Sequence, residues 1–566
     1  MLMNRHSLLR PFLYLFLLSM VVSATAAPPA LPLHEQIDRL IEGRLAERLP
    51  GVNSGPAAPA TDAEFLRRVW LDLAGMIPTA VEARAFLDDP SPYKRVRLID
   101  RLLESPGYAR RMEQVFDVLW MERRRDQYVP ETAWRAFLLQ AFAENRPYDQ
   151  IVRAVLAADG TEPASRGAAK FLLDREADPH TIVRDVGRVF LGVDLTCCQC
   201  HDHPLIDGYK QADYYGLYAF VNRTVLVKKS PGGAVLGELA EGDVTFSSVF
   251  KKKITHRTGP RVLGGPPVPE PSVPGGQGYL VPPDKAGKVR PVPVVSRRAH
   301  LAGSVASRQV PAFSRNIVNR LWALFLGRGL VHPLDLHHGD NPPSHPELLD
   351  LLAREFTARN YDLKAFIREL VLTRTYQRSS EPPPDSSPEL EEPVHFAVAA
   401  LRPLSPEQMA WSVMQGLGLV AMTRAEVVQA LEGNDPKLRA ILGLDPPRRV
   451  LRDRMIDEAV FDRLERNVRP FIRQFGGVAG QPQDTAESAP TVDQALFLTN
   501  GEPLKTWLNP QPGRLVGRCL AMADPATIAE ELYLSVLSRR PTPEERTEVA
   551  DYLARRAAER TSALRE

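Results

Sequence analysis

The sequence predicts a mainly α protein, with two helical bodies joined by a small insert rich in β-strand formers, proline and glycine. Three observations predict this class. Apolar residues recur at helical spacing over most of the chain, helix-capping patterns precede several of these runs, and one internal stretch lacks both features. With 44% hydrophobic and 25% charged residues, a chain of 566 residues can bury a sizeable core. We therefore expect folded domains rather than disorder.

The N-terminus has the pattern of a secretory signal peptide. Arg5 and Arg10 precede an apolar run over residues 11–22, and small residues follow at 24–26. This order is typical of a cleaved signal, and the run is short for a bilayer-spanning helix. An uncleaved anchor is the alternative. We predict a signal peptide over residues 1–26, export to the periplasm or another extracytoplasmic space, and no transmembrane segment beyond the signal.

The first helical body spans about residues 31–225 and the second about 306–566. The first helix repeats apolar residues on one face: Ile37, Leu40, Ile41 and Leu45. Four Ser/Thr-x-x-Glu pairs predict helix starts: Thr61 with Glu64, Thr79 with Glu82, Ser344 with Glu347, and Thr542 with Glu545.

The stretch over residues 226–305 changes character. Its β-branched residues alternate but are interrupted by Gly and Pro, which permit only short edge strands and extended loop. We interpret it as a β-rich insert or linker. Because few contacts should cross such chain, we expect the body that starts near residue 306 to fold on its own.

The charge balance argues against a nucleic-acid partner. The chain has 71 Lys and Arg against 69 Asp and Glu, so it offers no strong field to a polyanion. We interpret its short basic run, Lys251 to Lys253, as a solvated loop or strand edge.

Three of the four cysteines lie within one pentapeptide, CCQCH, over residues 197–201. Cys197, Cys200 and His201 have the C-x-x-C-H spacing at which c-type haem is attached. Two thiols at this spacing reach two vinyl groups on one porphyrin edge, while the adjacent imidazole binds the iron. We predict haem c bound through Cys197 and Cys200, with His201 as the proximal ligand.

Other interpretations of this segment stay open. Cys197, Cys200, His201 and His203 could form a zinc or other metal site, although four ligands so close in sequence crowd a tetrahedron. Cys197 and Cys200 could also be a redox thiol pair or a disulfide. Cys198 fits none of these schemes well. Cys519, alone on a helical stretch, is typical of a buried core residue.

The sixth ligand of a haem iron has several candidates. His203 is too close to His201 to reach the opposite porphyrin face easily, and His180 opens the preceding helix. Met112 and Met121 lie on an amphipathic helix. We predict Met112 or Met121, or no protein ligand at all, in preference to either histidine. A methionine would raise the reduction potential and suit electron transfer, whereas an open position would admit a small ligand.

The second body has a histidine-rich segment of its own. Within 14 positions it contains His332, His337, His338, Asp340 and His345. Its prolines and glycine predict a loop, whose histidines we interpret as solvated or helix-capping rather than as metal ligands. The nearby Asn319, Arg320 and Trp322 are interpreted as packing and ion-pair residues at a domain seam.

Five stretches in order resemble the planctomycete cytochrome-c-like proteins. They are FLRRVWLDLAGMIPT (65–79), CCQCHDHPLIDGYKQADYYGLYAF (197–220), FSRNIVNRLWALFLGRGLVHPLDL (313–336), NPPSHPELLDLLAREF (341–356) and IRELVLTRTYQRSS (367–380). In that family a cytochrome-like N-terminal domain is joined to a companion C-terminal domain, both of unknown function. The resemblance implies an exported protein with a haem motif and no established reaction.

The chain departs from the family pattern at two places. Many members have a His-Trp pair shortly after the position of SPGYARR and a Cys-Glu-Cys stretch ahead of QALFLTNG. This sequence has MEQVFDVLWMERRRD (112–126) and GQPQDTAESAP (480–490) there. Neither place can supply a His or Cys ligand.

Two classes of function follow. The first is an exported c-type haem protein that carries electrons to a redox partner protein or supports a redox enzyme. The second is a helical binding or scaffold protein in extracellular polysaccharide handling, in which CCQCH is structural. No hydrolase, metalloprotease or phosphate-loop motif appears, so the sequence does not decide whether the protein is an enzyme.

Overall fold

The computed structural model describes residues 31–50, 55–263, 265–274, 277–434, 446–483 and 490–565. The predicted signal peptide, residues 1–26, lies outside them. The structure is 56% helical and 5% strand, which confirms the mainly α prediction. No helix in the described ranges is long and apolar enough to cross a membrane.

The first part of the chain is helical. Its helices are α1 (Leu33–Arg48), α2 (Asp62–Ala74), α3 (Ala80–Asp88), α4 (Lys94–Glu104), α5 (Pro106–Met121), α6 (Glu131–Ala143), α7 (Tyr148–Ala157), α8 (Lys170–Leu173), α9 (Pro179–Leu191) and α10 (Gln211–Val221). Short 3₁₀ turns cover Pro163–Ala169 and Thr196–Gln199.

The predicted insert contains three separate two-stranded antiparallel sheets among the described residues. They pair β1 (Thr224–Val227) with β2 (Val235–Glu238), β3 (Val244–Phe246) with β4 (His256–Thr258), and β5 (Tyr279–Val281) with β6 (Val292–Pro293). The last residues of the insert form a helix, α11 (Arg297–Val305). The guanidinium of Arg298 donates to the carbonyl of Ala158 just after α7, at 3.1 Å.

Helices dominate again after the insert. They are α12 (Pro311–Leu326), α13 (Pro346–Ala358), α14 (Leu363–Leu372), α15 (Pro388–Glu391), α16 (Pro406–Gly416), α17 (Leu419–Asn434), α18 (Pro446–Leu464), α19 (Arg469–Phe475), α20 (Val492–Asn500), α21 (Glu502–Trp507), α22 (Leu515–Leu520), α23 (Pro525–Leu537), α24 (Pro543–Arg555) and α25 (Arg560–Ala563).

The predicted capping boxes form at two of four positions. Thr79 and Thr542 make reciprocal boxes with the glutamates three residues on. Thr61 caps α2 through its own side chain. The prediction for Ser344 was wrong, because α13 begins one residue later with His345 as its N-cap. The Ser344 hydroxyl instead lies 3.0 Å from Nδ1 of His345.

One buried core extends across the insert. The largest apolar cluster contains residues from Leu33 to Phe396 together with Leu534, and a second one contains residues between Ala410 and Leu564. The Tyr148 ring stacks on the Phe313 ring with centroids 5.3 Å apart. Leu33–Glu566 accordingly forms one compact unit. The structure therefore argues against independent folding from residue 306, while the domain boundaries stay a prediction.

Candidate functional site

The CCQCH segment follows α9 after a sharp change of direction. Gly192 ends the helix with φ +71°, in the left-handed region. A Cβ at this position would lie 2.8 Å from Cδ2 of His337 and 2.9 Å from Oδ1 of Asn316. Only glycine therefore lets the chain leave α9 this close to the second half of the protein.

The three thiols in and next to the 3₁₀ turn Thr196–Gln199 differ in exposure. Cys197 and Cys200 are exposed, whereas Cys198 is buried in the main core. All four cysteines, including the buried Cys519, are free thiols in this structure. Burial raises the pKa of Cys198 to about 12, so this thiol stays protonated and unreactive. The accessible thiols are thus the two of the C-x-x-C pair.

His201 has the tautomer that a metal ligand needs. Its Nδ1 lies 2.6 Å from the carbonyl oxygen of Asp202. Because a carbonyl only accepts, Nδ1 carries a proton, and in the neutral ring Nε2 keeps its lone pair. The ring is half-buried and packs against Phe250, with centroids 5.1 Å apart. Such a carbonyl partner orients a ligating imidazole and raises its basicity.

His203 has the opposite arrangement. Its Nδ1 accepts the backbone N–H groups of Leu205 at 3.2 Å and Ile206 at 3.0 Å, which places a neutral ring's proton on Nε2. The backbone N–H of His203 donates to the carbonyl of Tyr209 at 2.9 Å. His203 therefore holds a turn together.

The zinc alternative gains no support from this geometry. In the part of the chain that the structure describes, no group of three or more His, Cys, Asp or Glu side chains could hold a metal ion. The histidine-rich segment, residues 332–345, lies within the described residues and contains no such group either.

Each of the three remaining candidates for the sixth iron ligand is buried in the core or contacts another polar side chain. Met112 and Met121 are both buried in the main core. The thioether of Met121 accepts from the guanidinium of Arg175 at 3.7 Å. His180 lies with Nδ1 2.6 Å from the Tyr214 hydroxyl. Use of either methionine as a ligand would disturb core packing.

The β3–β4 hairpin packs on the CCQCH segment. The N–H of Val249 donates to the carbonyl of Cys200 at 3.0 Å, next to the contact between Phe250 and His201. At the base of the hairpin, Phe246 and Tyr215 stack almost parallel with centroids 4.6 Å apart. Sequence patterns did not indicate this contact, because the insert showed only weak strand signals.

The histidine-rich segment of the second half meets the same loop. The N–H of Asp194 donates to the carbonyl of Asp335, and that of His337 to the carbonyl of Gly192, both at 3.0 Å. The Tyr209 hydroxyl donates to the carbonyl of His337 at 3.2 Å. The two histidine segments therefore come together, although they are more than 100 residues apart.

Tyr209 lies at the centre of this meeting point. Its ring is perpendicular to that of His203, with centroids 5.9 Å apart, and approaches His338 at 5.7 Å. Sequence reasoning missed Tyr209, since a lone tyrosine in a loop carries no motif. His338 also lies 3.9 Å from the exposed carboxylate of Asp340. His332 is half-buried, and His345 is buried against Phe396.

Helix α12 is bonded to the end of α9 through Asn316 and Arg320, of which only Arg320 was among the predicted seam residues. Nδ2 of Asn316 donates to the carbonyl of Val189 at 2.7 Å. Arg320 donates to the carbonyl of Arg188 at 2.8 Å and forms an ion pair with Asp335. These bonds fix the loop that presents Cys197 and Cys200.

His337 makes stability depend on pH. Burial, with the positive charges of Arg320 and Arg315, lowers its pKa from 6.5 to about 4. As the pH falls from 6.5, the unfolded chain takes up this proton first, so the contribution of His337 to stability is lost between pH 6.5 and about 4. We expect His337→Gln to reduce the pH slope of the unfolding free energy by up to about 1.4 kcal/mol per pH unit in this window.

Urea unfolding of both proteins at several pH values measures this slope. Equal slopes for wild type and His337→Gln would contradict the assignment of a buried neutral imidazole.

Comparison with known proteins identifies two domains. Residues 36–225 match the family model PSCyt2, a protein of unknown function (DUF1549), and residues 297–553 match PSD1, a protein of unknown function (DUF1553). No curated protein and no solved structure matches the chain. CCQCH lies in the first domain and the histidine-rich segment in the second. The candidate site is thus where this pair of domains meets.

Proposed function

We propose that this chain is an exported c-type haem protein of the planctomycete cytochrome-c-like kind, with haem c bound through Cys197, Cys200 and His201. One observation carries the proposal: one exposed, free thiol lies in a short turn and another directly after it, and the next residue is an imidazole whose Nδ1 contacts a carbonyl and whose Nε2 is available. A bound haem supplies one-electron redox chemistry.

The donor set fits the group chemically. Cys197 and Cys200 would hold the haem through two thioether bonds, which form in a thiol addition reaction. Cys198 is excluded from this reaction by its burial and raised pKa. The Asp202 carbonyl orients the His201 ring, and Val249 and Phe250 offer apolar surface beside it. The two thiols that haem attachment needs are therefore accessible, whereas Cys198, which it does not need, is buried.

The surroundings favour an iron without a sixth protein ligand. Met112 is fully buried, and the sulfur of Met121 already accepts from Arg175. His203 uses Nδ1 to hold its own turn. An open position admits a small ligand, whereas a methionine ligand would raise the potential and suit electron transfer to a partner protein.

The test is production in a strain competent for cytochrome c maturation, with haem staining after denaturing electrophoresis. We expect the wild type to stain and the double variant Cys197→Ser/Cys200→Ser to lose the stain completely, because both thioether bonds are gone. Cys198→Ala is the matched control, and it should keep the stain. Unstained wild type from a competent strain, or stain retained by the double variant, would refute the assignment.

A second candidate is a helical binding or scaffold protein in extracellular polysaccharide handling. The observation in its favour is the backbone bonding of residues 192–194 to the loop of the second domain, which gives the segment a structural task. In that case the wild type would carry no haem, and binding to polysaccharide would be the property to measure.

A further inference from the structure

The turn between β3 and β4 presents apolar and basic side chains to solvent. Phe250 is 77% exposed, Ile254 51% and Val249 45%. Between them Lys251, Lys252 and Lys253 are all exposed, and none forms an ion pair with a carboxylate of the described ranges. We call residues 247–255 the hairpin tip. From this composition we propose that the hairpin tip docks the protein on an anionic lipid surface.

The charge of the hairpin has one sign. Residues 244–258 include no Asp or Glu, and besides the three lysines they contain Arg257. Arg257 is neutralised by Asp243, with Nη2 2.7 Å from the carboxylate. The positive charge therefore concentrates at the tip, beside the apolar side chains. Lysines near a membrane are attracted by anionic headgroups.

The base of the hairpin is fixed. Phe246 stacks on Tyr215, and Phe246 and His256 face each other across the two strands. The Val249 N–H is bonded to the carbonyl of Cys200. The exposed Phe250 ring and its neighbouring side chains are thus held outward by ordered structure, so docking would require little further ordering of the chain.

The size of the tip favours a lipid surface over a protein partner. A stable protein interface buries about 800 Å² on each partner. The tip offers three apolar side chains on a narrow turn, which can enter the boundary between headgroups and acyl chains while the lysines stay among the headgroups. Docking would bring the exposed Cys197 and Cys200 close to the membrane. The inference does not depend on bound haem.

Vesicle co-sedimentation of the full mature chain tests the proposal. We expect binding to vesicles of phosphatidylglycerol and phosphatidylcholine, and none to phosphatidylcholine alone. The variant Lys251→Gln/Lys252→Gln/Lys253→Gln should weaken binding roughly tenfold or more. Phe250→Ser should weaken it about tenfold, because insertion of the ring is lost. Thermal unfolding checks that each variant is folded.

Leu280→Ser is the matched control. Leu280 is 69% exposed on β5, in a hairpin that also carries lysines at 285 and 288, and its replacement should leave binding unchanged. Failure of the wild type to bind anionic vesicles would overturn the proposal. So would equal losses for Phe250→Ser and Leu280→Ser, or binding that Phe250→Ser leaves intact. Binding of an acidic protein through the three lysines, without vesicle binding, would assign the surface to a protein partner instead.

Discussion

A fragment that starts at residue 306 is expected to lose the cooperative unfolding transition of a chain that comprises residues 27–566. The fragment would contain only part of the largest apolar cluster, because that cluster includes residues from both sides of the insert. Phe313 would lose the stacked ring of Tyr148, and Asn316 would lose the Val189 carbonyl, so both side chains would become exposed to water. The apolar surface that becomes exposed in this way costs about 25 cal/mol per Å².

Urea denaturation followed by tryptophan fluorescence and circular dichroism measures this loss. Helical signal from the second cluster should persist, so cooperativity is the property to compare. We expect a broad transition with a small m-value for the fragment and a sharp one for residues 27–566. A sharp transition with an m-value in proportion to the fragment's size would contradict the shared core.

Asp72→Ala is expected to lower the free energy of unfolding by about 3–5 kcal/mol, the range for breaking a buried ion pair from one side. Asp72 is 5% exposed on α2. Its carboxylate accepts from the Arg402 guanidinium at 2.7 and 3.0 Å, and from the Tyr376 hydroxyl at 2.8 Å. Removal of the carboxylate leaves both donors without their acceptor, and both belong to the second half of the chain.

Asp100→Ala provides the matched control. Asp100 on α4 also pairs with an arginine of the second half, Arg368 on α14, at 2.6 Å. Both side chains are more than one-third exposed, and surface pairs of this kind contribute about 0–1 kcal/mol. Equal losses of stability in the two variants, measured by urea unfolding, would show that burial of Asp72 is not what makes its pair strong.

The sequence predicted where helices form better than it predicted which elements they pack against. Periodicity shows which face of a helix is buried, and the reciprocal boxes at Thr79 and Thr542 formed as expected. It does not show against what a face packs, so the contact of Tyr148 with Phe313 across the insert was missed. Ser344 failed as a cap because its neighbour His345 occupies that position.

The candidate site was predictable in its residue types and not in its surroundings. Spacing identified Cys197, Cys200 and His201 as a set. Which of two adjacent cysteines faces solvent depends on the 3₁₀ turn, and a four-residue turn leaves no periodic signal in a sequence. The same holds for the partners of His201, since the Asp202 carbonyl and the Phe250 ring are defined only by the fold.

The most direct test of haem attachment at CCQCH is mass mapping of one tryptic peptide. Trypsin should release residues 189–210, VFLGVDLTCCQCHDHPLIDGYK, which contain all three clustered cysteines. For protein from a maturation-competent strain, alkylated after denaturation, we predict a peptide that carries one haem on Cys197 and Cys200 and one alkyl group on Cys198. The same peptide with three alkylated cysteines and no haem would contradict the account.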